Sequence, residues 1–156
     1  MLGKASDFLL HKQPMMLVDS LLECNETYVA VEVVIDQKHQ LFLDETGRLP
    51  AWISIELMAQ TVGVWAGYQA KLRDGSEPKI GFLLGGRQCQ QYVSHYQVGD
   101  KLRIEAQIIM QDEKMASFAA KIINTQQNVV AEGRLTTYQP NDVEISGLQN
   151  LFTQNN

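Results

Sequence analysis

The sequence predicts an α+β domain in which an antiparallel sheet of about six strands curls round one long helix. Three observations lead there. One stretch, Trp52 to Tyr68, is apolar on nearly all sides and must therefore be surrounded. Segments on either side of it alternate apolar and polar residues, the period of a half-buried strand. Their order is a hairpin, the helix, and then about four further strands, which suits a single antiparallel sheet.

The elements follow in order. Ser6 to Leu10 opens a short helix that Pro14 stops. Met16 to Glu23 reads as a strand and Tyr28 to Ile35 as its hairpin partner, across the turn residues Asn25-Glu26-Thr27. In the second strand Val29, Val31 and Val33 share one face. Asp36 to Leu49 is an irregular connection with a turn at Asp44-Glu45-Thr46-Gly47. Pro50 suits the first turn of a helix running from Ala51 to Arg73, where Lys71 and Arg73 face the negative end of the dipole and Asp74-Gly75 ends it. Lys79 to Tyr92 is extended, with Gly85-Gly86 as a place for a bulge. Lys101 to Gln111, Met115 to Asn124 and Val129 to Tyr138 complete a meander.

The chain has 156 residues, of which 45% are apolar and 20% charged, enough for one domain with its own core. Residues 1–140 form that domain and 141–156 a polar tail. A net charge of −5 speaks against nucleic acid as a partner. Cys24 and Cys89 show no metal spacing and read as idle thiols, so no metal is expected. Met1 to Ser6 shows no leader pattern, and Glu56 and Gln60 interrupt the apolar stretch. A core helix is expected rather than a membrane span, and the cytoplasm as the compartment.

Glu56 is the most informative residue, set among Ile53, Ile55, Leu57 and Met58. A carboxylate there must be paired, protonated or functional. Either it is a general acid in an apolar pocket, or it is an ion-paired side chain on a polar stripe with Gln60. Gln60, one turn on, orients that carboxyl, binds substrate or satisfies a neighbouring backbone group. Gly63 and Gly67 allow close approach of a packed element or of a slender ligand. His11, His39 and His95 have no metal-site spacing, and Ser54 lacks the elbow of a serine nucleophile.

The block His11-Lys12-Gln13-Pro14-Met15-Met16-Leu17-Val18-Asp19 resembles the opening of bacterial 3-hydroxyacyl-[acyl carrier protein] dehydratases. Pro50-Ala51-Trp52-Ile53-Ser54-Ile55-Glu56-Leu57-Met58-Ala59-Gln60 resembles their central-helix motif, and Val98-Gly99-Asp100-Lys101-Leu102-Arg103-Ile104-Glu105 a later strand entry. The runs Gly47 to Ile53 and Gly81 to Arg87 are most similar to the divergent branch of aryl-polyene biosynthesis. The resemblance implies a hot-dog fold and removal of water from a 3-hydroxyacyl thioester, giving the trans-2-enoyl product. The substrate would ride on the phosphopantetheine of an acyl carrier protein, with no other cofactor. Glu56 would take the family's carboxyl role, the Ala51 N–H would polarise the thioester carbonyl, and Gln60, Gly63 and Gly67 would line the substrate.

One family position is not matched. Where the family carries its catalytic histidine, an ungapped count finds Phe42, and a short deletion brings Asp44 or Glu45 there. His11 matches a different family histidine, so His11 and Asp44 stand as candidates for the base. The vacancy keeps two other readings open: a non-catalytic acyl-binding or partner subunit, and a hot-dog thioesterase. An open sheet edge predicts a homodimer, or a hetero-oligomer with a related hot-dog subunit. Arg48, Lys71, Arg73, Lys79 and Arg87 are candidates for docking an acidic carrier.

Overall fold

The computed structural model describes residues 2–8, 16–74 and 82–138. In chain order it places strands β1 (Gly3–Lys4), β2 (Ser20–Cys24), β3 (Tyr28–Val34) and β4 (Leu49–Pro50), then helix α1 (Ser54–Asp74). Strands β5 (Phe82–Gln91), β6 (His95–Tyr96), β7 (Lys101–Gln111), β8 (Met115–Ile123) and β9 (Val129–Tyr138) follow. Seven strands form one antiparallel sheet in the order β1-β2-β3-β7-β8-β9-β5, and β4 pairs with β6 separately.

The alternation of the strands decides which face meets the helix. Val29, Val31 and Val33 of β3, Leu102 and Ile104 of β7, and Phe118 and Ile122 of β8 are all buried. Against them α1 places Leu57, Met58, Val62, Val64 and Trp65. The Trp65 and Phe118 rings meet edge to face at 5.2 Å. Each fully buried side chain of this kind contributes roughly 1.5–3 kcal/mol of hydrophobic stabilisation. The helix is thus held over the middle of the sheet, and its first turn is fixed relative to β3 and β7.

The opposite face of the sheet carries ion pairs suited to water. Arg103 reaches Glu105 at 2.9 Å and Glu23 at 3.5 Å, and Lys101 reaches Glu32 at 3.5 Å. Such exposed pairs add little stability individually. They do mark which face is solvated.

The predicted hairpin, long helix and meander are all present, with three differences. Met16 to Asp19 forms no strand, because side chains rather than a neighbouring strand satisfy the Leu17 backbone. The helix opens with a 3₁₀ turn over Ala51–Ile53, after Pro50. Residues Leu49 and Pro50 pair with Tyr96 and His95, a bridge too short to leave a periodic signature. Of the predicted opening helix, the described part is a 3₁₀ turn at Ala5–Asp7. The register slips in β5 between Leu83 and Gly85, where the glycine pair suggested a bulge, and again between Arg87 and Gln90. Gln88 there has φ of 53°, the left-handed conformation of a bulged residue.

Gly67 is the glycine on which packing depends most. A Cβ there would collide with the backbone carbonyl of Phe8, which cannot rotate away. Alanine in a helix interior normally stabilises by about 0.8–1 kcal/mol over glycine. Gly67→Ala is expected to reverse that sign and destabilise by about 1–3 kcal/mol, the usual cost of overpacking. A urea midpoint equal to or above wild type would show that Phe8 does not press on the helix.

Candidate active site

Five residues are joined in series around the start of α1. Gln60 donates from Nε2 to Glu56 Oε1 at 3.0 Å, across one helical turn. Its own Oε1 accepts the Leu17 N–H at 2.9 Å. The Leu17 carbonyl meets His39 Nε2 at 3.0 Å, and His39 Nδ1 accepts the Asp36 N–H at 3.2 Å. Because a backbone N–H can only donate, the proton of neutral His39 lies on Nε2 and is given to Leu17.

Local sequence explains each end. Asp36 caps the 3₁₀ turn Gln37–Phe42, and His39 at its third position closes a capping box. Lys38 then ties this turn to the hairpin through Asp19 at 3.1 Å, Asp36 at 2.8 Å and the Val34 carbonyl at 2.7 Å. Gln60 is buried, so its two bonds are held in low dielectric and orient Glu56 firmly. Of the three roles open to Gln60 in the sequence, these bonds display two: it orients the carboxyl and satisfies a backbone group.

His39 is fully buried, and desolvation pushes its proton affinity below the ordinary histidine value. An unfolded histidine takes up a proton near pH 6.5. Below that pH the unfolded chain binds a proton that the folded chain refuses. The stability from this site is therefore complete above about pH 6.5 and is lost as pH falls toward the depressed value, by at most about 1.4 kcal/mol per pH unit. Urea midpoints measured from pH 7.5 down to about 5.5 are expected to fall on that schedule. His39→Gln should flatten this limb, and an unchanged slope would reject the assignment.

A second cluster sits on the other side of the helix start. Ala51 donates its N–H to the Ser94 carbonyl at 3.0 Å, and His95 stands opposite Pro50 in the β4–β6 bridge. His95 Nε2 lies 3.0 Å from Asp44 Oδ2, and its Nδ1 lies 3.1 Å from Ser94 Oγ. Asp44 Oδ1 also accepts from Thr46 N, Thr46 Oγ1 and Arg48 N at 2.9, 2.6 and 3.1 Å. The Thr46 hydroxyl above all, with the Arg48 N–H, holds this carboxyl down at about 2. Tyr96 turns the other way, its hydroxyl 2.6 Å from Ser54 Oγ in the core.

These contacts bear on four of the expected site residues. The Ala51 N–H, expected to polarise the thioester carbonyl, is bonded to the Ser94 carbonyl. Asp44, expected as a candidate base, has its carboxyl held low by the Thr46 and Arg48 donors and lies against His95 Nε2. Gly67 admits the Phe8 backbone rather than a ligand, while Gly63 is half-buried one turn earlier. His11 and Lys79 lie outside the described residues. Among the other basic candidates, Arg48 turns back onto Thr46 at 2.9 Å and Lys71 lies 4.9 Å over the Phe8 ring. Arg87 is exposed and paired in register with Arg134. Among the described residues no group of three acidic, histidine or cysteine side chains could hold a metal, and no helix is long and apolar enough to cross a membrane.

Residues 3–148 match the family of ApeP-like proteins, described as ApeP dehydratase. The chain belongs to the ApeP-like dehydratase family. A solved structure described as the dehydratase heterocomplex ApeI:P from Xenorhabdus doucetiae is similar to this ApeP-like chain at 36% identity, covering 94% of this chain and 97% of that one with a TM-score of 0.85. A Streptococcus mutans protein bound to acetyl CoA is 16% identical, with coverage of 78% and 87% and a TM-score of 0.59. A hypothetical thioesterase with coenzyme A from Streptococcus pneumoniae, also 16% identical, covers 78% and 84% with a TM-score of 0.60. At that identity the last two show the hot-dog fold alone. No curated protein sequence matches the ApeP-like chain.

Sequence reasoning missed the His95–Asp44 pair. Its only local signal was that Asp44 falls near the vacant histidine position. Nothing in the sequence joined it to a histidine on the third strand further on.

Proposed function

We propose that this ApeP-like dehydratase removes water from a 3-hydroxyacyl thioester, carried on the phosphopantetheine of an acyl carrier protein, to give the trans-2-enoyl thioester. The observation that carries the reading is the Glu56 carboxyl, fixed by Gln60 in the first turn of α1, in a chain of a dehydratase family. Dehydration moves protons without net oxidation or reduction, so this chemistry calls for no further cofactor. A base takes the proton beside the thioester carbonyl, while Glu56 protonates the departing hydroxyl. The positive end of the α1 dipole favours negative charge building on the thioester oxygen.

The resemblance to the aryl-polyene branch points to a growing aryl-bearing chain as substrate. A related hot-dog chain is the proposed partner. The ten-residue edge strand β5 has β9 on one side only within the described sheet, and Leu41 in the 3₁₀ turn and Trp52 and Ile55 at the helix start are exposed. A second sheet edge would satisfy both. The exposed Arg87 and Arg134 pair supports docking of an acidic carrier. The free thiols of Cys24 and Cys89 suit a reducing compartment, and we place the reaction in the cytoplasm.

The test is to incubate purified protein, alone and with a related hot-dog chain, with a 3-hydroxyacyl carrier protein. Mass spectrometry should show loss of one water. Release of free acid would favour a thioesterase, and no change with an intact fold would favour an acyl-binding or partner subunit.

A further inference from the structure

The dehydratase reading leaves the base unassigned; His11 lies outside the described residues, and among the described histidines and the family position the structure narrows the choice. At the family's histidine position stands Phe42, whose ring packs edge-on against Trp52 at 6.4 Å and carries no proton acceptor. His39 is buried with both ring nitrogens bonded to backbone, so it cannot reach a substrate. His95 is also bonded at both ring nitrogens, but to side chains rather than to backbone, and it is partly exposed. Its side chain and that of Asp44 are each 26% exposed, and both sit where the chain enters α1.

The geometry points to His95, held by Asp44, as the base that removes the proton beside the thioester carbonyl. This inference rests on the dehydratase reading. An ionised carboxylate at 3.0 Å accepts the proton on Nε2 and so fixes the tautomer, leaving the basic lone pair on Nδ1. Nδ1 faces the Ser94 hydroxyl, a group that turns about one bond and can yield to a substrate. Asp44 is itself held by Thr46 and Arg48, so the imidazole is anchored through a rigid turn. The bridge to Pro50 and Ala51 ties the same segment to the helix that carries Glu56.

The step balances. The C2–H bond breaks and an N–H bond forms at Nδ1, while the electron pair becomes the C2–C3 double bond. The C3–O bond breaks, and the hydroxyl takes the proton of Glu56 and leaves as water. The imidazolium then gives its proton to the Glu56 carboxylate through solvent, restoring both groups.

The experiment compares wild type, His95→Gln, His95→Ala and Glu56→Gln with a 3-hydroxyacyl carrier protein, in the complex in which the protein purifies. His95→Gln keeps a side-chain N–H for Asp44 but cannot take up a proton at neutral pH. It is expected to lose about 10²–10⁴-fold in kcat with little change in KM. His95→Ala should fall similarly and regain activity with added imidazole, a rescue that a merely structural residue would not show. Turnover retained in His95→Gln, or no imidazole rescue of folded His95→Ala, would overturn the assignment. If Glu56→Gln is inactive while His95→Gln is active, the dehydratase reading stands and His95 falls. A folded wild-type complex that forms no enoyl product would sink both.

Discussion

Glu56→Gln is expected to lower turnover by about 10²–10⁴-fold, the usual worth of a positioned proton donor, while leaving the fold in place. Gln keeps the length and volume of Glu. It also keeps a carbonyl oxygen where Oε1 now accepts from Gln60 Nε2, so the bond at 3.0 Å survives. What it removes is the transferable proton. The loss should therefore fall on kcat, since an interaction made only as the hydroxyl departs acts in the transition state. The thermal midpoint of the variant should stay within a few degrees of wild type, because surface or half-buried isosteric changes rarely exceed about 0.5 kcal/mol. Glu56→Asp, one methylene shorter, should retain part of the activity. Equal turnover in wild type and Glu56→Gln would move the acid elsewhere and weaken the reading of the helix motif.

Much of this arrangement is legible in the sequence because it is local. The strands β7, β8 and β9 announce themselves through alternation, and the turn at Asp112–Lys114 is closed by the Asp112 carboxylate on the Lys114 and Met115 N–H groups, each at 2.8 Å. Glu56 stands out because a carboxyl in an apolar helix demands a reason, and Gln60 follows it at the spacing that puts both on one face. The rest depends on contacts between segments far apart in the chain. Leu17 lies in an apolar run that looks like a strand, yet Gln60 and His39 take its N–H and C=O. The resemblance implies an Ala51 N–H aimed at a thioester carbonyl, but two-residue strands pair there and turn it to Ser94. His95 is one of three histidines without metal-site spacing until the same pairing sets it on Asp44. Periodicity reports one face of one element, and none of these bonds lies within one element.

Gln60 tests whether the two halves of the site are one device. Gln60→Met keeps the volume and the helix propensity but offers no acceptor to Leu17 and no donor to Glu56. The buried Leu17 N–H then loses its bond at 2.9 Å, a loss that costs about 1–3 kcal/mol. Turnover should fall about tenfold, or about 1.4 kcal/mol of transition-state stabilisation, as Glu56 loses its orienting donor. Gln60→Glu separates the two effects. When ionised it restores an acceptor for Leu17 and so recovers stability, but it presents an acceptor instead of a donor to Glu56 Oε1. The expected outcome is therefore a urea midpoint closer to wild type than that of Gln60→Met, with turnover no better. If activity instead follows stability across the two variants, Gln60 serves only to hold the chain at Leu17, and the orientation of Glu56 rests on other contacts.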